Sequence, residues 1–125
     1  MGSGGLVSGA ISKGARSEVI VTVGDEEVEL LFTNRALAEA ERAMGKGLWS
    51  GLRTDELRLD DVANLLRAGL AAARRERSGA GKPVSMEDAW RIMDALGFQK
   101  ALQIAAEAIA QVLTYEPEDD ANPPE

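Results

Sequence analysis

The chain has no cysteine and no histidine, and aromatic residues make up only 4% of its 125 residues. Without thiols there is neither a disulfide nor a thiolate metal site. Without imidazole it lacks the side chain that most often binds metals and moves protons near neutral pH. Positive charge is also short: 14 Lys and Arg stand against 21 Asp and Glu, a net charge of −7. That balance opposes general attraction to nucleic acid phosphates and anionic lipid. No window approaches the roughly 20 apolar residues that span a bilayer. Met1 to Ala10 carries neither a basic head nor an apolar run long enough for a secretory signal. These absences favour a non-enzymatic, cytoplasmic protein that needs no cofactor or metal and avoids nucleic acid and membranes.

What is present fits one small domain. Hydrophobic residues are 45% and charged residues 28%, the balance of a soluble globular chain with a modest core. Most apolar side chains fall between Asp60 and Leu113, in three one-sided segments. Val62, Leu65, Leu66, Gly69, Leu70 and Ala73 recur at steps of three and four, the spacing of one helix face. Asp60 or Asp61 is read as its cap, and Arg74, Arg75 and Arg77 suit its negative end. Ser85 with Asp88 three residues later marks the start of a second helix. That helix carries Met86, Ala89, Trp90, Met93 and Leu96, and Gly97 closes it. Phe98, Ala101, Leu102, Ala105, Ile109 and Val112 form a third stripe.

Ahead of these helices the period changes. Val19, Val21 and Val23 point one way and Glu18, Ile20 and Thr22 the other, and Val28, Leu30 and Phe32 resume the alternation after Gly24-Asp25-Glu26-Glu27. This is the pattern of a β-hairpin. A four-residue loop pairs Val23 with Val28 and also matches Ile20 with Leu31 on the opposite face. A two-residue loop at Gly24-Asp25 keeps the main face and loses that match. A three-residue loop without a bulge reverses every side chain. The four-residue loop is the preferred register. Thr33 or Asn34 then caps a helix through Leu37, Ala40 and Met44 to Gly45, and Lys46 to Leu52 forms at most one turn. The fold expected is α+β: an N-terminal β-hairpin packed on a small bundle of about four helices. Residues 1–17 read as a flexible leader, 18–115 as the domain, and 116–125 as a disordered acidic tail.

Several patterns suggest chemistry and do not sustain it. Asp60-Asp61 and Glu118-Asp119-Asp120 belong to no metal loop, and capping and solubility account for them. Ser78-Gly79-Ala80-Gly81-Lys82 follows a helix and places Pro83 where a phosphate loop needs a hydroxyl, so it reads as a linker. Arg74, Arg75, Arg77 and Lys82 lack the interleaved aromatics of a nucleic acid surface. Trp90 falls on the Met86–Met93 stripe and reads as core. Two sets of residues remain as candidate partner-binding surface. Leu48, Trp49 and Leu52 offer an aromatic anchor in a short Gly-flanked segment. Ile20 and Leu31 lie on the back of a hairpin whose edges can accept a strand.

The order of these pieces resembles a known family. The run Glu18-Val19-Ile20-Val21-Thr22-Val23-Gly24 leads into Val28-Glu29-Leu30-Leu31-Phe32, then the helix Asn34 to Glu41. Leu65 to Leu70 follows, then Ser85-Met86-Glu87-Asp88-Ala89-Trp90, Met93 to Gly97, and Ala101-Leu102. Over Glu18 to Leu113 the arrangement resembles the small tail assembly chaperone-like proteins of long-tailed phages and gene transfer agents. The resemblance implies a protein that binds the tape-measure protein while tail-tube subunits polymerise around it. The tail-tube protein is a second candidate partner, and a homo-oligomer stays open. The alternative is a structural tail or connector protein retained in the particle. No catalytic or ligand-binding residue is carried over.

Overall fold

A computed structural model describes residues 14–48, 57–78 and 83–117. The fold is α+β, an N-terminal antiparallel hairpin followed, among the described residues, by four helices. The strands are β1 (Arg16–Val23) and β2 (Glu26–Thr33). The helices are α1 (Asn34–Met44), α2 (Leu59–Ser78), α3 (Met86–Leu96) and α4 (Phe98–Leu113).

The hairpin turns in two residues, which corrects the preferred register. Val23 pairs with Glu26, Val21 with Val28, Val19 with Leu30 and Ser17 with Phe32. Ile20 therefore faces Glu29, and Leu31 faces Glu18. Gly24 has φ of 65°, and a two-residue hairpin loop needs a positive φ at its first position. Glycine reaches that region without a Cβ clash. Both loop lengths keep Val21, Val23, Leu30 and Phe32 on one face, so the inner face matches the expectation. Leu30 and Phe32 are fully buried there.

The helix ends follow from local chemistry. Thr33 Oγ1 accepts the Ala36 N–H at 3.1 Å, which makes Thr33 the cap of α1. Gly45, at φ 75°, closes that helix and donates its N–H to the Glu41 carbonyl. At α3 the capping box is complete: Ser85 Oγ accepts from Asp88 N–H, and an Asp88 carboxylate oxygen accepts from Ser85 N–H. Helix α2 begins at Leu59, so Asp60 and Asp61 stand in its first turn and not at its cap.

The core lies between the inner face of the hairpin and the helices. β1 rests on α3 and α4, and β2 on α1 and α2. Val62, Leu65 and Leu66 of α2, Ile92 of α3 and Ala101, Ala105 and Ile109 of α4 are all sealed within it. Gly69 has a steric reason for its place in the α2 stripe. A Cβ there would sit 2.7 Å from Cζ of the buried Phe32 ring. The missing side chain lets helix and strand approach around the ring.

Candidate protein-interaction site

The residues singled out from the sequence separate when folded. Ile20 is 63% exposed, the most exposed large apolar side chain among the described residues. Leu31 is only 4% exposed, although it points away from the inner face. Helix α2 accounts for the difference. Its Gly69 meets Phe32 on the inner side of β2, while Ala73, Glu76 and Arg77 border the same shallow pocket as Leu31 on the outer side. A helix that touches both sides of one strand runs along that strand's edge. Arg77 of α2 pairs with Glu29 of β2, and Glu76 of α2 pairs at 3.1 Å with Arg16 of β1, which also pairs at 2.8 Å with Glu18 of its own strand. Leu31 is therefore core, and the expected Ile20–Leu31 patch reduces to Ile20.

Leu48 is likewise corrected. It is 1% exposed and part of the core cluster. Glu41 fixes it there, since a carboxylate oxygen of Glu41 accepts the Leu48 N–H at 2.9 Å. That bond draws the chain beyond Gly45 back along α1 and turns Leu48 inward. Trp49 and Leu52 lie outside the described residues.

A cleft of mixed polar and apolar lining appears where the C-terminal end of α1, the start of α2 and α3 converge. It measures about 580 Å³ and is lined by Ala43, Met44, Met86 and Trp90, with Lys46, Arg58, Asp60, Asp61 and Asn64 around it. Trp90, Met44 and Met86 are each partly exposed. Met86 and Trp90, four residues apart in the first two turns of α3, point the same way. Sequence reasoning assigned Trp90 to the core. It does pack against the core, but like Met86 and Leu96 of the same stripe it is only partly buried, and it lines the cleft near the end of α1.

The floor of this cleft is fixed electrostatically. Asp61 is 5% exposed, and one of its carboxylate oxygens accepts from Lys46 Nζ and from the Arg58 backbone N–H, both at 2.8 Å. Burial alone pushes its pKa up. The hydrogen bonds from Lys46 and Arg58 and the nearby positive charges outweigh burial and hold the carboxyl below its ordinary 3.8. Asp61 thus remains ionised and ties the residues after α1 to the start of α2. Met44, Met86 and Trp90 are the large apolar side chains that this cleft presents, the methionines being the conformationally adaptable ones.

A second cleft, of about 440 Å³, lies between β2, α2 and α3 and is lined by Glu26, Glu27, Glu29, Arg74, Arg77 and Arg91 among others. Its charges compensate one another, with Arg91 3.8 Å from Glu26 and Arg77 on Glu29. Among the described residues, no group of three or more Asp or Glu is placed to hold a metal ion. No described helix is long and apolar enough to cross a membrane. Comparisons of the chain with protein-family models, with curated proteins and with solved structures found no match.

Proposed function

We propose that this chain is a tail assembly chaperone, which binds an amphipathic helical segment of a tape-measure protein through the cleft formed by Met44, Met86 and Trp90. The observation that carries the reading is that cleft, where Met44, Met86 and Trp90 stand partly exposed among side chains of both charges. Helix-in-groove recognition needs apolar pockets for residues spaced at three, four and seven, with polar groups around them. Methionines let such a groove accept varied side chains. A tape-measure protein presents many similar helical stretches, so weak individual contacts would sum along an array of bound copies. The sequence resemblance supplies the identity of the partner, and the cleft supplies a physical means of binding it.

The test is titration of a helical tape-measure fragment into the purified chain, followed by calorimetry. Binding should be measurable, and Trp90→Ala should weaken it at least tenfold. Because Trp90 also packs on the core, the exposed rim residues provide a second arm. Arg58→Glu with Asp60→Lys should alter affinity and its salt dependence while leaving the fold intact. Absence of binding to any such fragment would overturn the reading. Stoichiometric recovery of the chain from purified particles would favour the structural or connector role instead.

A further inference from the structure

The two edges of the hairpin are treated differently. A two-residue loop closes on a hydrogen-bonded pair, here Val23 and Glu26. Pairing then alternates, so Val21, Val19 and Ser17 turn their backbone groups toward β2. Arg16, Glu18, Ile20 and Thr22 turn theirs outward. On β2 the outward side is lined by α2. On β1, no backbone hydrogen bond to another described element is present. The side chains of Glu18, Ile20 and Thr22 are exposed. Natural edge strands are usually protected by proline, lysine, a bulge or shortness. β1 has none of these over its eight residues: its pairing runs one-to-one from Arg16 to Val23 without a bulge. Its one carboxylate, Glu18, is compensated by Arg16 at 2.8 Å.

We propose that two copies of this chain join antiparallel along β1, with Ile20 on the two-fold axis, to make a four-stranded sheet. The occupant is specified by how the edge reads against itself. Centred on Ile20, the register sets Ile20 against the partner's Ile20 and Glu18 against the partner's Thr22, with no like charges opposed. Centred on Glu18, it sets two carboxylates face to face, which is unfavourable on a sheet. Centred on Val19, it sets Ile20 against a carboxylate. Only the Ile20 register pairs the exposed isoleucine with another apolar side chain. In it the outward groups of Glu18, Ile20 and Thr22 exchange about six backbone hydrogen bonds with the partner copy. A closed two-fold contact of this kind uses up both free edges and does not propagate. This inference is independent of the tape-measure reading, since it uses a different surface.

The full-length chain offers a direct test because it contains no native cysteine, so any disulfide in a single-cysteine variant joins two molecules. Sedimentation from micromolar to millimolar concentration should show a reversible monomer–dimer equilibrium. Ile20→Lys should weaken it at least tenfold with an unchanged circular dichroism spectrum and melting temperature. Ile20→Cys should oxidise readily to a covalent dimer, since residues paired across an antiparallel ladder have Cα atoms about 5.5 Å apart, within disulfide range. Thr22→Cys or Glu18→Cys alone should not, because each is displaced from its own copy by about four residues, roughly 13 Å. An equimolar mixture of those two variants should cross-link. A chain that stays monomeric throughout, a dimer indifferent to Ile20→Lys, or equal cross-linking at positions 20 and 22 would each overturn the proposal.

Discussion

β1 and β2 are both eight-residue strands with an alternating apolar face, yet they end in opposite circumstances. β2 is enclosed on its outer side: α2 runs along its edge, contacts Phe32 and borders Leu31, and pairs Arg77 with Glu29. β1 packs its valines on α3 and α4 and leaves Ile20 in solvent. The contrast shows that an outward-facing position in a hairpin has no fixed fate. What lies beside the strand decides it. Leu31 and Ile20 both point away from the inner face, and one is core while the other is surface.

The largest difference should appear on truncating these two residues. Leu31→Ala is expected to lose about 2–3 kcal/mol, typical of emptying a buried aliphatic site. Chemical denaturation will measure it, and a loss as small as that of a surface change would show that α2 does not seal the edge. Next comes the helix–strand contact itself. Gly69→Ala raises helix propensity, but its methyl group meets the Phe32 ring at 2.7 Å. The net expectation is a loss of about 1–2 kcal/mol from overpacking. A gain in melting temperature would mean that helix and ring can separate cheaply.

Asp61 anchors the start of the helix that encloses β2, and Asp61→Asn should cost about 1 kcal/mol at neutral pH through loss of a charge-assisted hydrogen bond. The pH dependence has a definite sign. Because the folded-state pKa lies below the ordinary 3.8, this carboxylate stabilises the fold above that value. The contribution fades as pH falls through the folded pKa. Acid denaturation of Asp61→Asn should therefore be shallower below about pH 4, and an unchanged acid limb would remove Asp61 from the account. The smallest effect belongs to Ile20→Ala, expected within about 0.5 kcal/mol of the parent, as for exposed positions generally. A substantial loss would mean that Ile20 is covered within its own chain.

Much of this arrangement was legible in the residues. The α2, α3 and α4 stripes, the helix start at Ser85 and the Val/Leu/Phe inner face follow from spacing alone, whereas the return bond from Ser85 N–H to Asp88 does not. The hairpin register did not, because loops of two and four residues share the same parity. The Ile20–Leu31 match favoured the longer loop. The shorter one holds because α2 buries Leu31 without help from Ile20, and Gly24 accommodates the turn. Leu48 reads as a candidate surface anchor only through its place beside Trp49 in a short Gly-flanked segment. Its burial depends on Glu41, seven residues earlier, accepting its N–H. The Met44–Met86–Trp90 cleft joins parts of three helices, and no local pattern announces where helix ends meet.

Amide hydrogen exchange along β1, read residue by residue in dilute solution, tests the central contrast most directly. Val19 and Val21, bonded to β2, should be protected by about a thousandfold or more, while Ile20 should exchange within about tenfold of an unstructured peptide. Equal, strong protection of Ile20 at every dilution would contradict the account, because it would mean that the β1 edge is already occupied within the monomer.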